Sequence, residues 1–387
     1  MAVLVESDIG WFVSHAKLVR DWYRNCRRCN GHITALELRN AFFDIAVPFQ
    51  MDSAAQKHAS LLDDATRLHR EGQPIRKPRR KKRQHAACAI VSFLQNPTRI
   101  AAATEKIVEE ARKLGHFFEA DATSEEIRHN NKTARIAASQ ALDVRIPPAD
   151  TLSRGDNDVA IVVSHCEHQY AIPVGACPRA GDVQQALSQE RGPFDLIVAD
   201  PPWDNRSVRR KNSYVCLGRR RYEELLLQLP VARLGVNGGP PGLVVVWCTH
   251  NASQLEFVVK QLLPAWGTPF LGVWYWVKVT RRGVPVRPIG GVHKQPVEYL
   301  VFGGTAADFP DHRIVVSVPS SIHSHKFPLT ELLKPWIGEK PRCLELFARY
   351  LVPHWTSIGD EVLKLQRLEL YEEVDDPTVQ DCQAPKE

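Results

Sequence analysis

From Asp158 onward, short apolar runs alternate with segments of helical spacing. Residues 159–164 and 170–174 read as two paired strands, with His165-Cys166-Glu167-His168 as the hairpin turn between them. Asp182 then precedes a helix-like 183–188. Further strands are predicted at 195–199, 243–248, 271–279, 297–302, 313–318, 342–347 and 362–365, with helices at 252–263 and 329–337. Alternation of this kind predicts a largely parallel sheet covered by helices on both faces, a Rossmann-like α/β fold.

The first 150 residues are patterned differently. Trp11, Phe12, His15, Leu18, Val19 and Trp22 share a helical face, as do Leu61, Leu62, Ala65 and Leu68. Residues 98–118 form an amphipathic helix with Ile107, Val108, Ala111 and Leu114 on one side and Glu105, Glu109 and Lys113 on the other; 124–141 form a polar one. Pro147-Pro148 end helical structure. The expected organisation is a mostly helical accessory region over 1–150, a catalytic domain over 151–370 and an acidic, disordered tail over 371–387.

Charge sharpens this division. The net charge of +6 over 387 residues is modest, but it is clustered. Arg76-Lys-Pro-Arg-Arg-Lys-Lys-Arg83 makes 74–85 a basic linker, and Arg206 to Lys211 and Arg219 to Arg221 are basic again, as polyanion partners or nuclear import require. No apolar run reaches the length of a bilayer span, and the first five residues lack a secretory signal. Nine cysteines without a framework spacing predict free thiols in a reducing compartment. Cys26, Cys29 and His32 lack a fourth metal ligand, so no metal is expected. Nor is there a dinucleotide or phosphate-binding glycine loop.

The chemistry concentrates where the strand at 195–199 ends. Asp200 is an anionic acceptor at a strand's carboxyl end, Pro201-Pro202 fix an extended turn with free carbonyls, and Trp203 offers a flat ring. Together these suit a planar amine: Asp200 and the Pro201 carbonyl accept its two N–H groups, and Trp203 stacks on its ring. Downstream, Trp274, Trp276 and Lys278 alternate onto one strand face, a pattern that suits a nucleotide or a core strand whose lysine emerges at its end.

Asp200-Pro201-Pro202-Trp203 after a strand resembles the adenine amino-methyltransferases typified by the catalytic subunit of the messenger-RNA adenosine N(6)-methyltransferase. Asn205 to Tyr214, Val315 to Pro319, His323-Ser-His-Lys326, Leu344 to Arg349, Trp355-Thr-Ser and Glu361 to Lys364 extend the likeness from about 158 to about 366, with an echo at Gly10-Trp11. The resemblance implies a Rossmann-like, S-adenosylmethionine-dependent methyltransferase domain with its motifs in permuted order. It gives Asp200, Pro201, Pro202 and Trp203 as catalytic, and Asp182, Asp200, Ser324, Lys326, Arg349, Asp360 and Glu361 as cofactor-binding. Asn205, Arg209, Arg210, Lys211, Trp276, Lys278 and Glu298 would meet the substrate. Tyr350 and Asp360 depart from the asparagines of close relatives. One branch of the family implies methylation of 2′-O-methyladenosine in U2 small nuclear RNA, in the nucleus and possibly also the cytosol, by a monomer. DNA adenine methylation and a weakly active RNA-binding partner subunit are the alternatives.

Overall fold

The computed structural model describes residues 2–50, 96–142, 156–203, 219–291 and 294–375. Its elements in chain order are β1 (Val3–Glu6), β2 (Gly10–Val13), α1 (His15–Arg20), β3 (Cys26–Arg27), β4 (Ile33–Leu38), α2 (Pro97–Lys113), α3 (Ser124–His129) and α4 (Lys132–Leu142). Then follow β5 (Ala160–His165), β6 (His168–Ile172), β7 (Cys177–Ala180), α5 (Val183–Gln189), β8 (Leu196–Ala199), α6 (Arg219–Gln228), β9 (Leu243–Cys248) and α7 (Ala252–Phe257). The last are β10 (Phe270–Lys278), β11 (Val297–Gly304), β12 (Ile314–Ser317), α8 (Thr330–Ile337), β13 (Cys343–Leu346), β14 (Trp355–Gly359) and β15 (Tyr371–Val374).

Ten strands form one sheet in the order β1-β2-β12-β10-β11-β9-β8-β13-β14-β7. Strand β8 lies near its centre, parallel to both β9 and β13. All four of its residues are buried, because side chains pack on both faces, and a strand covered twice must be apolar throughout. Ile197, Val244, Val246 and Val301 enter one core, and Val198, Val245, Trp247 and Trp276 enter the other. The sheet is the expected largely parallel one, with β11 antiparallel to β9 and β10 and β1 antiparallel to β2.

The N-terminal expectation needs correction. Trp11 and Phe12 are neighbours on strand β2, so they point to opposite faces: Trp11 packs on Trp274 at 4.8 Å and Phe12 on Phe117 at 4.8 Å. Gly10 lets this happen, since a Cβ there would strike the backbone of Ile314 on the neighbouring strand. Strands β1 and β2 therefore extend the main sheet, while β3 and β4 join β15, β5 and β6 in a second sheet of five. Before residue 50 the only α-helix is the six-residue α1. The basic linker, Leu61 to Leu68 and the boundary near 150 lie outside the described residues.

Three smaller differences have local causes. The polar helix at 124–141 is two helices, because Asn130 and Asn131 adopt left-handed φ of 46° and 58° and the Asn131 amide bonds to the backbone of Ala46 and Val47. Residues 362–365 make a turn, and the strand lies earlier, at β14. Val362, Leu363 and Leu365 are buried under that turn, so their apolar character reflects packing without alternation. The start of the acidic tail is β15, held to β4 by its backbone and by an ion pair between Glu373 and Arg28.

Candidate active site

Asp200 leaves the sheet at the carboxyl end of β8, its N–H donating to the Leu346 carbonyl at 3.2 Å. The chain goes from β8 to β9 on one side, and returns to β13 on the other after β12 and α8. Asp200 thus stands at a topological switch point, where open α/β sheets form their crevice. The Pro-Pro turn is tighter than expected. The Trp203 N–H folds back onto the Pro201 carbonyl at 2.7 Å, so one lone pair of that oxygen is already taken. The Trp203 indole does not stand out as a stacking platform either. It is 7% exposed, donates Nε1–H to the Trp247 carbonyl at 2.6 Å and meets Tyr222 edge-on.

Four charged groups alternate beside this turn. Lys326, from the loop after β12, places Nζ 3.5 Å from Asp200 Oδ1 and bonds to Glu298. Glu298, at the start of β11, also accepts from Lys278 at the end of β10. Burial pushes the Asp200 pKa up, and the Lys326 and Arg349 cations only partly offset it. Burial also opposes ionisation of Glu298, but its two lysines win and hold it well below the usual carboxylate range. For Lys326, burial works against the charge and the two carboxylates prevail, so its pKa is raised; for Lys278, burial prevails and the pKa is lowered.

Two substrate expectations change here. Trp276 is 1% exposed, donates to Ser317 Oγ at 2.8 Å and packs against Trp247 and Phe327, so it is a core residue. Lys278 emerges at the end of its strand, with Nζ 4.2 Å from the Trp276 ring centre. Both Glu298 oxygens are engaged by lysines. The nearby Arg281 and Arg282 pair with Glu126, and Arg281 also with Asp44. Asn205, Arg209, Arg210 and Lys211 lie outside the described residues.

The residues implied for a cofactor gather on the adjoining strand ends. Asp182 follows β7 and caps α5, accepting the Gln185 N–H at 2.9 Å. Asp360 follows β14, and its carboxyl is raised by burial, by Asp182 and by Glu361. Arg349, after β13, reaches Glu361 at 3.2 Å, and Lys364 bonds to the same carboxylate. Ser324 takes a left-handed φ of 60° and its Oγ bonds to His323 Nδ1 at 2.9 Å, two residues from Lys326.

The family model described as MT-A70 matches residues 194–361, the span that holds β8 through β14. The chain is 38% identical over 226 residues to the N(6)-adenine-specific methyltransferase METTL4 of Homo sapiens, covering 54% of this chain and 46% of that protein. It is 33% identical over 212 residues to the N6-methyladenosine RNA methyltransferase MTA1 of Pyricularia oryzae, covering 51% and 55%. A DNA N6-methyl methyltransferase of Caenorhabditis elegans is 31% identical over 277 residues, covering 62% of this chain and 73% of that protein. The chain belongs to the MT-A70 family. It spans about half the length of the human and fungal relatives.

The Rossmann-like methyltransferase fold expected from the MT-A70 resemblance is the fold observed. Two residues near the centre escaped the sequence reading. Glu345, inside the apolar strand β13, is 3% exposed, and its Oε2 has no hydrogen-bond partner among the described residues. Burial, aided by the Asp200 charge, pushes its pKa up to about 8. A lone glutamate in Cys343-Leu-Glu-Leu346 was the available signal. The other is Tyr222 on α6, whose buried hydroxyl is also unpartnered. Tyr350, the departure after Arg349, is buried near His325 at 5.6 Å between ring centres, which places its ring in the core.

Proposed function

We propose that this chain is an S-adenosylmethionine-dependent adenine N(6)-methyltransferase acting on nucleic acid. The observation that carries the reading is Asp200: a carboxylate at the switch point, 3.5 Å from Lys326, with Glu298 tied to the same ammonium. The donor set suits the methyl donor. Acids at the ends of β7 and β14 fit ribose hydroxyls or an amino group, cations beside them fit a carboxylate, and Glu345 keeps a buried polar atom unsatisfied. When bound, the cofactor supplies a methyl on a sulfonium.

Asp200 accepts one N–H of the target amine. The remaining lone pair of the Pro201 carbonyl accepts the other. This arrangement favours a pyramidal nitrogen and offsets the positive charge it gains as the new N–C bond forms. Lys326 favours the ionised state of Asp200. As the N–C bond forms and the methyl's bond to the sulfonium breaks, the proton of the methylated nitrogen passes to Asp200, which already accepts that N–H, and from it to solvent. Trp203 shapes the turn through its bond to β9.

The finer reading is RNA, with 2′-O-methyladenosine of U2 small nuclear RNA as the target, a nuclear location and monomeric action. The human and fungal likenesses support adenine N(6) chemistry, and the nematode relative's name keeps DNA as the second reading. The test is transfer of labelled methyl to matched oligonucleotides carrying adenosine, 2′-O-methyladenosine or deoxyadenosine. Preference for the 2′-O-methylated RNA supports the finer reading; preference for DNA replaces the substrate; no transfer to any of them overturns the enzyme reading.

A further inference from the structure

Tyr222 lies near the start of α6, between the two turns that frame the switch point. Its ring centre is 6.4 Å from that of Trp203, after β8, and 6.3 Å from that of Phe347, after β13. The hydroxyl is buried and has no hydrogen-bond partner among the described residues. A buried O–H with no acceptor is rare in a native structure and asks for an explanation. Burial, and the nearby Asp200 charge, raise the phenol's pKa well above its ordinary value, so the group remains a donor. The other donors at this corner are committed: Trp203 Nε1–H to the Trp247 carbonyl, and Lys326 to Glu298 beside Asp200.

On the adenine reading above, we infer that the Tyr222 hydroxyl is a specificity contact, donating to a ring nitrogen of the target base beside the amine that Asp200 accepts. The amine of adenine is flanked by N1 and N7, both acceptors. An acceptor for the amine and a donor for the neighbouring nitrogen therefore match its edge. Guanine presents O6 in place of the amine, the wrong polarity for Asp200, and a proton on N1, the wrong polarity for Tyr222 where N1 is the nitrogen met; N7 accepts in both bases, so there Asp200 alone discriminates. Phe347 and Trp203 hold the phenol ring in place.

The test uses the full chain and its Tyr222→Phe variant, which keeps the ring and removes only the hydroxyl. Substrates are 2′-O-methylated RNA, unmodified RNA and DNA oligonucleotides, each carrying adenine, 1-deazaadenine or 7-deazaadenine at the target position, and the comparison is made on the backbone that the unaltered protein methylates best. The expected result is a loss in kcat/KM of about three- to tenfold on adenine. One deaza substrate, already poorer by a similar factor with the unaltered protein, is unaffected by the substitution. Equal loss on all three bases, or weaker S-adenosylmethionine binding by equilibrium dialysis, overturns the contact and assigns Tyr222 to the fold or to the cofactor. No loss on adenine overturns it as well. If the unaltered protein methylates none of these oligonucleotides while binding the cofactor, the adenine reading itself fails, and this inference with it.

Discussion

Lys326 Nζ lies 3.5 Å from Asp200 Oδ1, and the same ammonium bonds to Glu298. One cation thus favours the ionised form of two buried acids, which without it would repel each other. Lys326→Met is expected to push the Asp200 pKa further up, because burial then acts with less opposition. On the proposed function turnover needs ionised Asp200, so it should be lost as pH falls, and the loss should begin at higher pH in the variant. A pH profile of kcat/KM checks this, with Lys326→Arg expected to recover part of the activity.

Asp200→Ala removes the charged acceptor proposed for the amine and leaves the strand ends at β7, β13 and β14 untouched. We expect methyl transfer to fall by about a hundredfold or more, while S-adenosylmethionine affinity stays nearly unchanged. Single-turnover transfer and equilibrium dialysis read the two separately. Substantial turnover in this variant would remove the assignment.

Trp276 is enclosed by Trp247, Phe327 and Ser317. Trp276→Ala should therefore cost about 3–5 kcal/mol of folding stability, as for other large aromatic truncations in cores. Nucleic-acid affinity per folded molecule should be unchanged. Urea denaturation measures the first, and fluorescence anisotropy at a temperature where the variant is folded measures the second.

Glu345 has a native pKa raised from 4.5 to about 8, so the folded state binds its proton more tightly than the unfolded chain does. Its contribution to stability is full below the unfolded value and is lost as pH rises through the folded one. Between those values it should give a slope of up to about 1.4 kcal/mol per pH unit. Glu345→Gln should flatten that slope. The buried His325, whose pKa is lowered to about 3, acts in the opposite direction below 6.5, so the comparison is cleanest between pH 6.5 and 8.

Arg209, Arg210 and Lys211 follow the catalytic turn in a basic run. Replacing all three with glutamine should weaken single-stranded RNA binding and lower the slope of log affinity against log salt by about two. Binding titrations at several salt concentrations give the slope. An unchanged slope would mean that these residues do not meet phosphate.

The middle of the large sheet was legible because β8, β9, β10, β11, β12 and β13 are short apolar runs, whereas β7, with Pro178 and Arg179, and β14 were not predicted. Asp200 was legible from its own surroundings, an acid at the end of an apolar strand before Pro201-Pro202-Trp203, whereas Lys326 and Glu298 were legible only through resemblance, since nothing local says that residues 200, 298 and 326 meet. The N-terminal strands were hidden by coincidence: Trp11 and Phe12 stand at positions that also fit a helical face with Leu18 and Val19. Glycine settled the matter, and its backbone contact is with Ile314, far along the chain. Trp276 looked like a ligand platform because alternation shows which face a side chain takes and not what covers that face. Glu345 and Tyr222 were missed because an unsatisfied hydrogen-bonding atom is a property of the folded surroundings.

The placement of β8 has a consequence for how the molecule is made. Asp195 and Arg342, which join β8 to β13, are 147 residues apart in sequence. At a synthesis rate of about 5–20 residues per second, roughly seven to thirty seconds pass between them. During that interval β8 can pair with β9 but presents its other side as an open, apolar edge, the kind that recruits foreign strands. Until β13 emerges that edge stays uncovered, and a chain ended before residue 343 is expected to aggregate and to lack a complete site.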